Sequence, residues 1–200
     1  MKYKYILLPL CIPTLVGITS CSCNNNDTKL VPVITDYLKI EDKVLQGFND
    51  KATEDNLKDF NALSIPKDVQ KVGNLAFADI TDAQKKVLAT ITFEEGCVCS
   101  EIGETAFQNN EYITKVILPP KLSNIGSMVF AGCSGLKEID LTNVEGTITY
   151  DKLTEFNKCD NPTKGTIYYK KESLTQGLFA TALVDPKNQT GLSNWTLEAK

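Results

Sequence analysis

Two stretches of this chain carry one pattern 23 residues apart, and that repetition restricts the fold more than any other feature. The first reads Ile102-Gly103-x-x-Ala106-Phe107-x-x-Asn110-x-x-Ile113-x-x-Val116-x-Leu118-Pro119. The second reads Ile125-Gly126-x-x-Val129-Phe130-x-x-Cys133-x-x-Leu136-x-x-Ile139-x-Leu141. A unit of this size has an apolar face that it cannot bury alone, so a fixed period of roughly 20 to 50 residues signals units stacked on one another. A repeat solenoid is therefore expected.

The residue types say how each unit is built. Ile113, Val116 and Leu118, like Leu136, Ile139 and Leu141, sit where a short strand turns them inward, so each coil is expected to give one strand to a parallel sheet. Pro119 ends its strand because it has no N–H for the ladder. The Ile-Gly and Ala-Phe or Val-Phe pairs are expected to fill the opposite wall, glycine allowing a tight turn and phenylalanine supplying buried area. Asn110 and Cys133 share one slot, where an inward Asn can bond turn backbone and a Cys can fill the space as a small hydrophobe. Phe77, Phe107 and Phe130 are predicted to stack in one buried row.

Towards the start, Val72-Gly73-x-x-Ala76-Phe77 repeats the wall and Leu88-x-x-Ile91-x-Phe93 the strand, with five residues inserted within 78–87 and two near 94–99. Insertions belong in exposed loops. Residues 81–86 can make one helical turn before the strand, and their charges read as a solvated loop rather than a site. Leu63-x-Ile65-Pro66 opens the array, and Ile148, seven after Leu141, begins a decayed last coil without the glycine or phenylalanine. Strands are expected over 63–66, 88–93, 113–118 and 136–141, with 166–169 closing the sheet.

These motifs resemble the BspA-type leucine-rich repeat of bacterial surface proteins over about residues 63 to 174, including Thr166-Ile167-Tyr168-Tyr169, which is similar to the strand that closes such arrays. The resemblance implies an α/β-type repeat solenoid: a leucine-rich-repeat-like right-handed coil with a short parallel sheet, mostly strand and turn, capped at both ends. It also implies display outside a bacterial cell, a mollicute being the kind suggested, and adhesion to host surfaces.

At the start of the chain, Lys2 and Lys4 precede an apolar stretch over 6–18 that is too short to span a bilayer as helix and is broken by Pro9 and Pro13. Ile18-Thr19-Ser20-Cys21 resembles a lipobox, which implies cleavage before Cys21 and acylation of that residue, so that the lipid bilayer is one partner. An ordinary signal peptide or a retained anchor is the alternative. The segments expected are a signal peptide over 1–20, a flexible tether over 21–29, an N-terminal cap over 30–61, the repeats over 62–165, and a closing strand with C-terminal cap over 166–200. In the cap, 31–34 reads as extended, Val44 to Phe48 as a strand, and Thr53 as the cap of a short helix carrying Leu57 and Phe60. Leu174, Leu178, Phe179, Ala182 and Leu183 have helical spacing, with Pro186 as the stop. Trp195 is either an exposed anchor or tucked against this cap.

The chain has 21 basic residues, all lysine, against 25 acidic ones, and no histidine. Loss of Lys2 and Lys4 would leave 19 against 25, a net charge of −6. Without arginine forks and with net negative charge, nucleic acid is not an expected partner. Without histidine there is no Ser-His-Asp or Cys-His pair and no imidazole metal ligand, so neither catalytic residues, metal nor cofactor is expected. Five cysteines would remain after Cys11 leaves and Cys21 is acylated: Cys23, Cys97, Cys99, Cys133 and Cys159. Cys97 and Cys99, two apart in the small insertion, read as wall residues rather than a metal or redox pair.

The outward strand positions are Ser64, Ala89, Thr90, Thr92, Thr114, Lys115, Ile117, Lys137, Glu138 and Asp140. From these, Thr92, Lys115, Ile117, Lys137 and Asp140 are the candidate contacts for a host surface or extracellular-matrix protein, with the 78–86 insertion as the rival surface. The expected function is a membrane-anchored binding or adhesion module. A displayed antigenic or decoy lipoprotein with no single ligand fits the same residues, and an enzyme or solute receptor is the distant third reading.

Overall fold

The computed structural model describes residues 33–150, 164–185, 187 and 192–200. Residues 1–32, and with them the signal peptide, Cys21, Cys23 and the tether, lie outside the described residues, as do Cys159 and Pro186.

Of the extended segment expected over 31–34, residues 31 and 32 lie outside the described residues, Val33 is extended and Ile34 opens a 3-10 turn over Ile34–Tyr37; β1 (Leu38–Glu41) and β2 (Val44–Phe48) then form an antiparallel hairpin. Asp42 and Lys43 make its turn with φ of 48° and 65°. Two successive left-handed residues match the right-handed twist of the flanking strands. A short helix α1 (Glu54–Leu57) follows, preceded by Thr53, whose side chain makes no capping bond.

From there the strands are dealt alternately to two sheets. β4 (Lys71–Val72), β6 (Glu101–Ile102), β8 (Asn124–Ile125) and β10 (Thr149–Tyr150) extend the first sheet from β2. β3 (Ala62–Ile65), β5 (Thr90–Phe93), β7 (Lys115–Ile117), β9 (Glu138–Asp140), β11 (Thr166–Tyr169) and β12 (Thr196–Ala199) form the second. Every pairing but β1 with β2 is parallel. One strand per repeat was expected; there are two, because the Ile-Gly wall also pairs with its neighbours, Val72 against Ile102 and Ile102 against Ile125. Sequence periodicity hides this second sheet, since two-residue strands are too short to show alternation.

The register also corrects the last unit. Asn124 pairs with Thr149 and Ile125 with Tyr150, so the step there is 25 residues and Ile148 is not the counterpart of Ile125. The closing strand is likewise not the last: β12 pairs with β11 and forms the sheet edge.

Between the sheets runs a row of matched inward residues, Leu63, Ile91, Val116, Ile139 and Ile167, each fully or almost fully buried. Beside it stand Phe77, Phe107 and Phe130, all 0% exposed. Their rings stack at centroid spacings of 5.3 and 5.6 Å, 4° from parallel. Phe48 closes the column edge-on to Phe77 at 5.2 Å. The turns around it bond from one repeat to the next, Phe77 N–H to the Ala106 carbonyl and Phe107 N–H to that of Val129. The second x of each Gly-x-x-Ala or Gly-x-x-Val segment, at Leu75, Thr105 and Met128, has φ between 54° and 57°. The shared slot works in the same direction. Asn110 Nδ2 donates to the Phe77 carbonyl at 2.9 Å and Cys133 Sγ lies 3.2 Å from that of Phe107, so each ties its turn to the repeat before it.

Both insertions are docked rather than loose. Residues Asp82–Val87 form α2, held at its start by a capping box between Thr81 and Gln84. Gln84 Nε2 reaches the Ala52 carbonyl at 3.1 Å, and Lys85 pairs with Glu111 at 3.1 Å. In the smaller insertion Val98 N–H bonds the Lys67 carbonyl while Cys97 and Cys99 turn inward. At the other end α3 (Leu174–Val184) buries Gln176, Phe179, Ala180 and Leu183. Leu174 and Leu178, expected to face inward, are 76% and 62% exposed, because Gln176 occupies the core-facing position and bonds the Val144 carbonyl. Trp195 is tucked in, 6% exposed, with its ring over Gly165.

Candidate functional site

The second sheet presents its outer surface as two rows of side chains, because alternate residues of a strand point to opposite faces. One row runs Ala62, Thr90, Lys115, Glu138, Thr166, Thr196 across the six strands. In the other, Ser64 pairs with Thr92 on one side, and Ile117, Asp140, Tyr168 and Glu198 continue on the other. Thr114 and Lys137 lie just before β7 and β9, joined by the bond from Lys137 N–H to the Thr114 carbonyl.

A shallow open groove of about 320 Å³ lies along the first row, lined by Thr90, Thr114, Lys115, Lys137, Glu138, Thr166 and Tyr168. Of the five contacts expected from sequence, Lys115 and Lys137 line it. Ile117 is half-buried and does not line it, and Thr92, which does not line it either, has its hydroxyl 3.5 Å from the Leu63 carbonyl. Asp140 is on this face by register but is not a free contact. It is 8% exposed, accepts from the backbone N–H of Thr142 at 2.9 Å and its hydroxyl at 2.5 Å, and pairs with Lys200 at 3.2 Å. The carboxy-terminal Lys200, brought over the sheet by β12, covers it; that strand had not been expected.

Electrostatics divide the face. Lys115 and Glu138 are joined at 2.6 Å, and this bond holds the Lys115 ammonium above its ordinary pKa. Burial pushes the Asp140 carboxyl up, but the Thr142 hydroxyl and N–H together with Lys200 outweigh it and leave the pKa lowered. The Lys200 ammonium also sits 3.7 Å from the centre of the Tyr168 ring, a cation–π contact. Lys137 is exposed and joins none of the ion pairs among the described residues. Tyr168 and Thr166 were missed as site residues, although alternation within Thr166-Ile167-Tyr168-Tyr169 puts both on the outer face once Ile167 is read as inward.

Burial raises the Cys97 thiol, and lifts Cys99 and Cys133 to about 12, so these thiols stay protonated. Among the described residues no group of three or more His, Cys, Asp or Glu can hold a metal, and no helix is long and apolar enough to cross a membrane.

A family model described as BspA type leucine rich repeat region matches residues 50–183, in six copies. No curated protein matches. Among solved structures, the crystal structure of the pneumococcal vaccine antigen PcpA is similar at 19% identity with a TM-score of 0.33, over 55% of this chain. The match takes in 21% of that antigen, so the chain spans about a fifth of its length.

Proposed function

Because the chain belongs to the BspA-type leucine-rich-repeat family, we propose that it is a surface lipoprotein that binds host molecules, its repeats wound as a right-handed solenoid held to the outer face of the membrane through acylated Cys21. The observation that carries the binding reading is the outer face of the second sheet. Six strands in register present a continuous row with a groove and an uncommitted lysine, while both insertions are docked on neighbouring segments by their own hydrogen bonds. Repeat proteins commonly bind through such a face. The alternative, a displayed antigen with no single ligand, keeps the anchor but leaves the groove without a partner.

Two measurements test this reading. Capture from host-cell membranes by the full-length chain should recover a saturable binding component; its absence would favour the displayed-antigen reading. The second concerns the anchor. Cys21→Ser should move the protein from the membrane to the soluble fraction, since two or three acyl chains hold a protein essentially permanently and their loss leaves no comparable attachment. A variant that stays in the membrane fraction with its first twenty residues intact would contradict the lipid anchor.

A further inference from the structure

Resting on the reading of the sheet face as a binding surface, we propose that its groove takes a carboxylated oligosaccharide, with Lys137 holding the carboxylate. The lining argues for a polyhydroxylated ligand. Three threonine hydroxyls, two ammonium groups, one carboxylate and one phenol surround the groove, and no large aliphatic side chain does. A protein hot spot is normally built on a desolvated apolar or aromatic pocket, which a shallow groove of this kind does not provide. Sugar hydroxyls, by contrast, both donate and accept. The Thr114 hydroxyl donates to the Ala89 carbonyl at 2.8 Å, leaving its oxygen to accept, and the Glu138 carboxylate is a further acceptor.

Charge selects the kind of saccharide. Lys115 and Glu138 cancel each other at 2.6 Å, and Lys200 cancels Asp140, so Lys137 is the groove's uncompensated charge. A neutral sugar would leave it unused; a carboxylate forms a charge-assisted hydrogen bond with it. Thr90, Lys115, Glu138 and Thr166 lie in register on four successive strands. At a strand spacing of about 4.8 Å they span on the order of 14 Å, which suits a short oligosaccharide rather than a single sugar. Tyr168, whose ring carries the Lys200 ammonium, adds its phenol to the lining.

The test is calorimetric titration of the full-length chain in detergent with 3′-sialyllactose, with a hyaluronan hexasaccharide, and with lactose as the uncharged control. At least one carboxylated probe should bind, and lactose about tenfold more weakly, the factor that one charge-assisted bond supports. Binding of the sialylated probe alone, or of the uronate probe alone, identifies the source of the carboxylate. Lys137→Gln should lose about tenfold and Lys137→Arg should restore it, whereas Lys86→Gln on α2, with the same change of charge, should bind as the unaltered chain does. Failure of both carboxylated probes, equal binding of lactose, or equal effects of Lys137→Gln and Lys86→Gln would overturn the proposal. If the probes fail while capture from host membranes persists and is weakened by Lys137→Gln, the partner is a protein and the adhesive face stands. If capture is also absent, both readings fall.

Discussion

Phe107→Ala should destabilise the chain by about 3–5 kcal/mol, the cost of emptying a phenylalanine site in a core that cannot collapse. Phe107 is the middle ring of the column, stacked on Phe77 at 5.3 Å and on Phe130 at 5.6 Å, so truncation removes contacts from both of its faces. The surroundings have little freedom to close the gap. The backbone on either side is pinned by the bonds from Phe77 N–H to Ala106 and from Phe107 N–H to Val129, and Asn110 spans the Phe77 and Phe107 carbonyls. Urea denaturation gives the difference directly, with Phe107→Leu as the comparison that keeps most of the volume and should cost less than about 1.5 kcal/mol. A loss below 1 kcal/mol for the alanine variant would mean that the column does not carry the core.

Gly103→Ala should cost about 1–3 kcal/mol although it adds a single methyl. Its Cβ would lie 2.6 Å from the Asn74 nitrogen and 2.7 Å from the Gly73 carbonyl carbon. Those are backbone atoms of the preceding repeat, and they cannot move aside without disturbing the ladder that joins Val72 to Ile102. Gly126 meets Glu104 and Gly103 in the same way, so the glycine of the Ile-Gly pair is there for close stacking, not for an unusual φ. The control is Gly146→Ala, whose Cβ would meet nothing within 4 Å and which should shift stability within about 0.5 kcal/mol. Thermal or urea midpoints that are equal for the two variants would contradict the close approach.

The period of 23 residues made much of the core legible. It placed Ile91, Val116 and Ile139 inward, put Phe77, Phe107 and Phe130 in one row, and paired Asn110 with Cys133 in a slot whose function, bonding the preceding repeat, only the geometry shows. What it missed has physical causes. The strand over Thr196–Ala199 follows no repeat, and its neighbour in space is fixed by the fold rather than by local pattern, so its covering of Asp140 through Lys200 could not be read. The exposed Leu174 and Leu178 were read as core because leucine at helical spacing suggests an apolar stripe; tertiary contacts instead turned Gln176 inward to bond Val144. The helical turn of α2 was legible in residues 81–86, whereas its capping box and the Gln84 contact that holds it against Ala52 needed the geometry. The groove was legible in part: Lys115 and Lys137 followed from lying between inward positions, Ile113 and Val116 for the one and Leu136 and Ile139 for the other, while the place of Tyr168 beside them rests on the register of β11 against β9.

The outer face of the second sheet as the binding surface is the claim on which the functional account rests, and charge reversal at two exposed lysines tests it most directly. Lys137→Glu alters the groove, while Lys86→Glu makes the same change on α2, which is the rival surface over 78–86. Both variants should fold as the unaltered chain does, because surface substitutions shift stability within about 0.5 kcal/mol. Affinity for the component captured from host membranes should fall by tenfold or more, about 1.4 kcal/mol, in Lys137→Glu and stay unchanged in Lys86→Glu. Unchanged affinity in Lys137→Glu together with loss in Lys86→Glu would contradict the account and move the site to α2.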